Sequence, residues 1–187
     1  MDIVKRNVAV EMVRDNFDRI PRFSCPDGHS LRWYEPEDET LWLTIWKAAD
    51  QFLTIDDKIF ESEFGGARDL LQDRQFFLLD KSGRAIGTST AWFDGDRENR
   101  TTGRIHWVAV IPEKQGLGLS KPLMSTTCDR LQKLGYKNAV LGTSTGRLSA
   151  INLYAAFGFR PNIRSREDEA IWNDLQPRLK TPIQVTE

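Results

Sequence analysis

Residues 104–120 decide the fold, and they read RIHWVAVIPEKQGLGLS. Residues 104–111 predict the clearest strand of the chain, and Pro112 ends it because proline cannot donate a ladder hydrogen bond. A glycine-rich turn follows, and then an amphipathic helix to about Leu134, which Gly135 is expected to cap. The inward face of that helix carries Leu123, Met124, Thr127, Cys128 and Leu131.

The turn between this strand and this helix has the chemistry of an anion site. Backbone N–H groups at a helix start lack intrahelical partners and carry the positive end of the dipole, so they can bind phosphate. Gly116 and Gly118 permit positive φ and a close approach to the anion. Leu119 excludes a P-loop, and Lys121 stands where the dinucleotide fingerprint needs a third glycine. The alternative is a tight strand–helix connection without a ligand.

The flanking sequence predicts further strands and helices. Strands are expected over 30–35, 75–79, 85–93 and 138–143, with strand-like residues at Phe159 and over 170–172. Helices are expected from about Asp38, over 56–64 with a continuation through Leu70 and Leu71, and over 146–157. The polar segment 94–103 is predicted to be a hairpin loop.

These elements predict a mixed α/β (α+β) fold. The strands at 104–111 and 138–143 should be parallel neighbours, because a helix connects them. The remaining strands should be antiparallel, with helices on both faces of the sheet. The 187 residues suit one domain, which we place at 31–187. Residues 1–30 are an N-terminal extension without a predicted role.

The composition excludes several classes of protein. A net charge of −1, without long runs of like charge, argues against nucleic-acid binding. Cys25 and Cys128 cannot form a disulfide framework and lack the spacing of a zinc site, so we expect free thiols and no metal. The N-terminus has no apolar signal segment, and no apolar stretch approaches the roughly 18 residues that span a bilayer. We therefore expect a cytoplasmic protein that does not bind membranes.

Two blocks of sequence resemble the GNAT superfamily of acetyl-CoA-dependent N-acetyltransferases. Gln115, Gly118 and Ser120 fit its pyrophosphate loop, although Ser120 replaces the usual last glycine or alanine. The second block is AINLYAAFGF at 150–159. The resemblance covers about residues 30–175. It implies a GNAT-like sheet whose parallel strand pair splays apart to admit the pantetheine arm of acetyl-CoA.

The same resemblance implies a set of residues that bind acetyl-CoA. Main-chain groups of two strand residues would pair with the pantetheine, the turn would hold the pyrophosphate, and an asparagine of the second block would bond the pantetheine. These residues are Val108, Val110, Gln115, Gly116, Gly118, Leu119, Ser120 and Asn152. Asn152 has an equal alternative role in capping local backbone.

The resemblance also implies catalytic residues. Tyr154 matches the tyrosine that protonates the departing thiolate, and a phenol with a pKa near 10 is protonated at neutral pH; the alternative is a packed aromatic. His106 is the candidate base, because its strand is similar to the one that carries catalytic histidines in serotonin N-acetyltransferases. Arg104 occupies the first histidine position, and alternation should place Arg104, His106 and Val108 on one face. The alternative for His106 is a hydrogen-bonded core histidine.

The acceptor is expected to be a small-molecule primary amine, attacked directly in a ternary complex. Residues 31–64 contain nine acidic residues against three basic ones, together with seven aromatics, and such a rim would attract a cation. A pair of amphipathic helices with core aromatics explains the same pattern. A protein N-terminal or lysine acetyltransferase and a non-catalytic acetyl-CoA-binding module remain alternatives, and the sequence leaves a homodimer open.

Overall fold

A computed structural model describes residues 2–95, 101–183 and 185. In this part the chain forms seven strands and six α-helices. The strands are β1 (Ala9–Arg14), β2 (Ser30–Trp33), β3 (Gln75–Leu79), β4 (Ala85–Phe93), β5 (Gly103–Val110), β6 (Ala139–Ser144) and β7 (Arg160–Pro161). The helices are α1 (Ile3–Arg6), α2 (Glu39–Ala49), α3 (Ile59–Phe64), α4 (Ser120–Lys133), α5 (Leu148–Ala156) and α6 (Arg166–Leu175). A 3-10 helix over Gly65–Asp73 follows α3.

The seven strands form one mixed sheet in the order β2-β3-β4-β5-β6-β1-β7. The pairs β2–β3, β3–β4, β1–β6 and β1–β7 are antiparallel. β5 and β6 are parallel, with Gly103 opposite Ala139 and Arg104 opposite Val140. This confirms the predicted α/β fold with one parallel strand pair joined by a helical crossover.

The backbone divides into two compact units. The first, here called the α4 unit, contains Arg22–Trp92 and Ile105–Lys133. Its β3–β4 hairpin closes through a turn in which the Asp80 carboxylate accepts from the Ser82 N–H and Gly83 takes φ +83°. Its core includes the fully buried side chains of Trp42, Phe60 and Phe64. The apolar spacing in residues 38–64 therefore reflects helices that bury aromatics.

The second unit, here called the α5 unit, contains the residues up to Pro21, Phe93–Arg104, and the chain from Leu134 onward. Its β1 lies within residues 1–30, the extension to which the sequence assigned no role. Thr145 fixes the start of the chain, since its hydroxyl donates to the Ile3 carbonyl at 2.7 Å and accepts from the Val8 N–H at 2.9 Å. Half of the predicted hairpin loop at 94–103 lies outside the described residues, because 96–100 are not described.

The strand-like interpretation of residues 170–172 is wrong, because these residues lie within α6. Ser165 caps that helix by accepting from the Asp168 N–H, and Glu167, Asp168 and Glu169 occupy its first turn. Negative side chains there favour a helix start. Ile171, Trp172 and Leu175 are buried at helical spacing, so helix periodicity overrides the local preference for a strand.

Candidate active site

The glycine turn between β5 and α4 has the backbone geometry that the sequence predicted. Gly116 takes φ +77° and Gly118 takes φ +75°, a region that side chains with a Cβ rarely adopt. Leu119 is buried and anchors the turn, whereas Leu117 is exposed. α4 begins at Ser120 and carries no acidic residue in its first turn. The positive end of this helix dipole therefore faces no carboxylate from its own first turn, which suits a phosphate.

Gln115 contacts the strand that precedes the turn. Its Nε2 donates to the Val110 carbonyl at 2.9 Å and so ties the start of the turn to the end of β5. Gly87 of β4 allows a close approach to the same strand, since a Cβ there would lie 2.9 Å from the Ala109 carbonyl oxygen. The role of Gln115 as a cofactor ligand stays a prediction.

Trp107 interrupts the regular geometry of β5. It takes φ +50°, in the left-handed region that is costly for a residue with a large side chain. The period-two alternation that would place His106 and Val108 on one face is therefore interrupted between them. The Trp107 ring packs against Trp46 at 4.5 Å and Trp42 at 5.0 Å between ring centroids.

His106 lies beside a carboxylate that the sequence did not single out. Its Nε2 is 3.1 Å from Glu63 Oε2, and 19% of its side-chain area is exposed. The Phe64 ring packs edge-on to the imidazole at 5.7 Å. Glu63 was predicted only as one of nine acidic residues of the acceptor region. Nothing in the local pattern could identify it, because it lies 43 residues from its partner.

Tyr154 and Asn152 both lie on α5, in the α5 unit. Burial raises the pKa of Tyr154 to about 12, and the positive charge of Arg147 partly opposes this. The Asn152 side chain donates to the Leu148 carbonyl at 2.7 Å and accepts from the Lys180 N–H at 2.8 Å. Those two bonds fit its backbone-capping alternative, and its contact with pantetheine stays a prediction.

The acidic residues of the proposed acceptor region are largely paired with bases. Arg68 bridges Glu39 and Glu61, and Lys47 pairs with Asp57. These ion pairs reduce the negative field that a cationic substrate would meet.

Two properties of the described residues bear on other classes of site. None of their helices is both long and apolar enough to cross a bilayer. They also bring no three His, Cys, Asp or Glu side chains together as a metal site.

The sheet is mixed and contains one parallel strand pair, and a glycine turn joins β5 of that pair to the N-terminus of α4. Together these features define an acetyltransferase of the GNAT type. The model of the acetyltransferase (GNAT) family matches residues 30–159, and the chain belongs to this family.

Curated relatives are named mycothiol acetyltransferases. The protein from Arthrobacter sp. (strain FB24) is 32% identical over 145 residues, which cover 75% of this chain and 45% of the relative. The one from Streptomyces coelicolor is 29% identical over 150 residues, covering 75% of this chain and 45% of the relative. The chain thus spans less than half the length of these relatives.

Solved structures share the fold at low sequence identity. A GCN5-related N-acetyltransferase from Sphaerobacter thermophilus superposes with a TM-score of 0.69 at 20% identity, covering 82% of this chain and 48% of the other. The ribosomal-protein-S18-alanine N-acetyltransferase from Escherichia coli gives a TM-score of 0.58 at 22% identity, covering 72% of this chain and 79% of the other.

Proposed function

We propose that the protein is an acetyl-CoA-dependent N-acetyltransferase that acetylates the primary amine of a small molecule. The amine attacks directly in a ternary complex. The observation that carries this proposal is the turn at Gly116 and Gly118, where two left-handed residues lead into the N-terminus of α4 within a chain of the GNAT family.

The residues of the turn fit a pyrophosphate. The N–H groups of Gly116, Gly118, Leu119 and Ser120 would hold it, because the first turn of α4 has no acid to compete for them. A Cβ built on Gly116 or Gly118 meets no atom within 4 Å, so there is open space beside both residues. Main-chain groups of Val108 and Val110 would take the pantetheine amides. Acetyl-CoA supplies an acetyl thioester at this site.

Two side chains would handle protons. His106 takes a proton from the acceptor ammonium, because an imidazole titrates near neutral pH. Tyr154 provides a proton for the departing thiolate, since its raised pKa of about 12 keeps the phenol protonated. A backbone N–H near Val108 or Val110 would donate to the carbonyl oxygen while negative charge develops on it.

The names of the curated relatives support a small-molecule acceptor, since the two relatives described above and six further ones are named mycothiol acetyltransferases. The structure of a ribosomal-protein-S18-alanine N-acetyltransferase is similar in fold alone, at 22% identity. The small-molecule reading is therefore preferred over a peptide acceptor.

The test combines binding with turnover. Calorimetry measures the affinity for acetyl-CoA, and release of the CoA thiol is then followed over a panel of small amines, peptides with free N-termini and lysine peptides. We expect acetyl-CoA to bind and a small amine to give the highest kcat/KM. Preference for a peptide would contradict the substrate class. Binding without transfer to any acceptor would point to a non-catalytic module, and absence of binding would contradict the whole proposal.

A further inference from the structure

The carboxylate of Glu63 bridges two consecutive residues of β5. One oxygen, Oε2, accepts from the Trp107 indole N–H at 2.9 Å and lies 3.1 Å from Nε2 of His106. Glu63 is near the end of α3, and 32% of its side-chain area is exposed. Its partners are 43 and 44 residues away in sequence, so the bridge is built by tertiary packing within the α4 unit.

The chemistry of these groups fixes the direction of both hydrogen bonds. An indole nitrogen can only donate, and a carboxylate oxygen that receives such a bond acts as an acceptor. An acceptor opposite Nε2 favours the imidazole tautomer in which Nε2 carries the proton. In that tautomer the lone pair of the neutral ring is on Nδ1.

We propose, on the basis of the proposed function, that Glu63 is a positioning residue that holds His106 as its Nε2–H tautomer and makes Nδ1 the basic atom. One N–H bond of the acceptor ammonium breaks and an Nδ1–H bond forms, leaving a neutral amine to attack. The positive charge moves to the imidazolium, where Glu63 stabilises it at 3.1 Å. Glu63 is a charged group that faces His106 from α3, and the rings of Phe64 and Trp107 also pack against the imidazole.

The bridge also supports the irregular backbone of β5. Trp107 takes φ +50°, and its indole bond to Glu63 orients the side chain of that residue. A structural role for Glu63 includes this indole bond to Trp107. Trp107→Phe separates the two roles, because it removes the indole donor and leaves the carboxylate beside His106.

Glu63→Gln removes the negative charge while changing the side-chain volume little. The same atom, Oε2, lies against both partners, so an amide oxygen in its place can still accept from the Trp107 indole and from the Nε2–H of His106. The tautomer is then kept, but the imidazolium loses the negative charge that stabilises it. We expect kcat to fall by about 10- to 1,000-fold, within the range of general acid–base contributions, and the Kd for acetyl-CoA to stay unchanged.

The primary readout is ¹⁵N NMR of the imidazole rings, which reports the tautomer without any substrate. The chain has two histidines, and His29→Gln assigns the signals. We expect the Nε2–H form of His106 in the wild type, in Trp107→Phe and in Glu63→Gln, and the loss of this preference in Glu63→Met, whose side chain offers no oxygen to Nε2. Glu61→Gln is the matched control, because Glu61 lies on the same helix but pairs with Arg68; tautomer and kcat should not change.

The outcomes separate this inference from the proposed function. An Nδ1–H form or an even mixture in the wild type overturns the inference, whether or not the protein transfers acetyl groups. The expected tautomers without any acetyl transfer would overturn the proposed function instead, and with it the catalytic use of Nδ1. A fall in kcat in Trp107→Phe as large as in Glu63→Gln, with an unchanged tautomer, assigns Glu63 a structural role. If Glu63→Gln does not fold, the wild-type tautomer decides, with Glu63→Asp expected to retain it.

Discussion

Tyr154 illustrates how burial selects the protonation state of one side chain. Its folded-state pKa of about 12 lies above the ordinary value of 10.0, and the main cause is desolvation of the charged form. The phenol therefore stays protonated up to about pH 12 in the folded protein. Loss of its proton should not limit the rate at the pH values where an exposed tyrosine would ionise.

Tyr154→Phe should lower kcat by about 100- to 10,000-fold, because it removes the proton donor and keeps the ring. The Kd for acetyl-CoA should barely change. Steady-state kinetics and calorimetry measure both quantities, with Tyr136→Phe as a control that removes a buried phenol from another segment of the α5 unit. A wild-type rate, with chemistry shown to be rate-limiting, would make Tyr154 a packing residue. A decline near pH 10 that disappears in Tyr154→Phe would contradict the raised pKa.

Thr143 lies in β6 and Thr145 directly follows this strand. Their hydroxyl groups are expected to affect the free energy of unfolding in different ways. Thr145→Val removes the partner of Ile3 and Val8 and should lower the free energy of unfolding by about 1–3 kcal/mol. The Thr143 Oγ1 is buried without a hydrogen-bond partner among the described residues. Thr143→Val should therefore be neutral or stabilising. Urea denaturation of both variants measures the difference, and equal losses would show that the hydrogen bonds of Thr145 contribute little.

At the scale of elements, the turn between β5 and α4 depends on left-handed backbone. Gly118→Val forces a β-branched residue into φ +75° and should displace the N–H groups at the start of α4. A cost of about 1–3 kcal/mol at this position corresponds to a weakening of acetyl-CoA binding by about 5- to 150-fold.

The matched control for that variant is Gly83→Val. Gly83 takes φ +83° in the β3–β4 turn, so the substitution introduces comparable strain away from the β5–α4 turn. It should lower stability while the acetyl-CoA affinity stays near that of the wild type. Calorimetry on both variants tests this, and unchanged affinity in Gly118→Val would remove the pyrophosphate from the turn.

The elements that the sequence predicted well are those with strong local signals. β3 has the predicted bounds, and β4 lies between its turn and the segment at 94–103 as predicted. α6 was missed because three apolar residues were interpreted without the Ser165 cap and the acidic turn that precede them. β1 was missed because its partners, β6 and β7, lie far along the chain.

Some features of the candidate site could likewise be predicted from local sequence, and others could not. The positive φ of Gly116 and Gly118 follows from residue type and local order, and the structure confirms it. The pairing of Glu63 with His106 and the positive φ of Trp107 depend on packing between α3 and β5. No periodicity within either element contains that information, so these features required the structure.

For the molecule as a whole, ligand binding should appear as added thermal stability. Acetyl-CoA at about 100 times its Kd stabilises a folded protein by about 2.7 kcal/mol. For a chain of this size 1 kcal/mol shifts Tm by about 2–4 °C, so we expect a rise of about 5–11 °C. Differential scanning fluorimetry measures it, with S-acetylpantetheine, which lacks the pyrophosphate, as the control. An equal shift with S-acetylpantetheine would contradict the role of the glycine turn.

The large sequence separation between β1 and its neighbours in the sheet also sets the order of events during synthesis. Val8 and Thr145, which bond to one another, are 137 residues apart. At about 5–20 residues per second, a ribosome needs roughly 7–27 s to synthesise the chain from Val8 to Thr145. Throughout that interval both edges of β1 lack their neighbours in the sheet, and an unpaired strand edge is a template for association with other chains. A nascent chain halted before β6 should therefore leave residues 9–14 open to proteases and chaperones, and release of the completed chain should protect them.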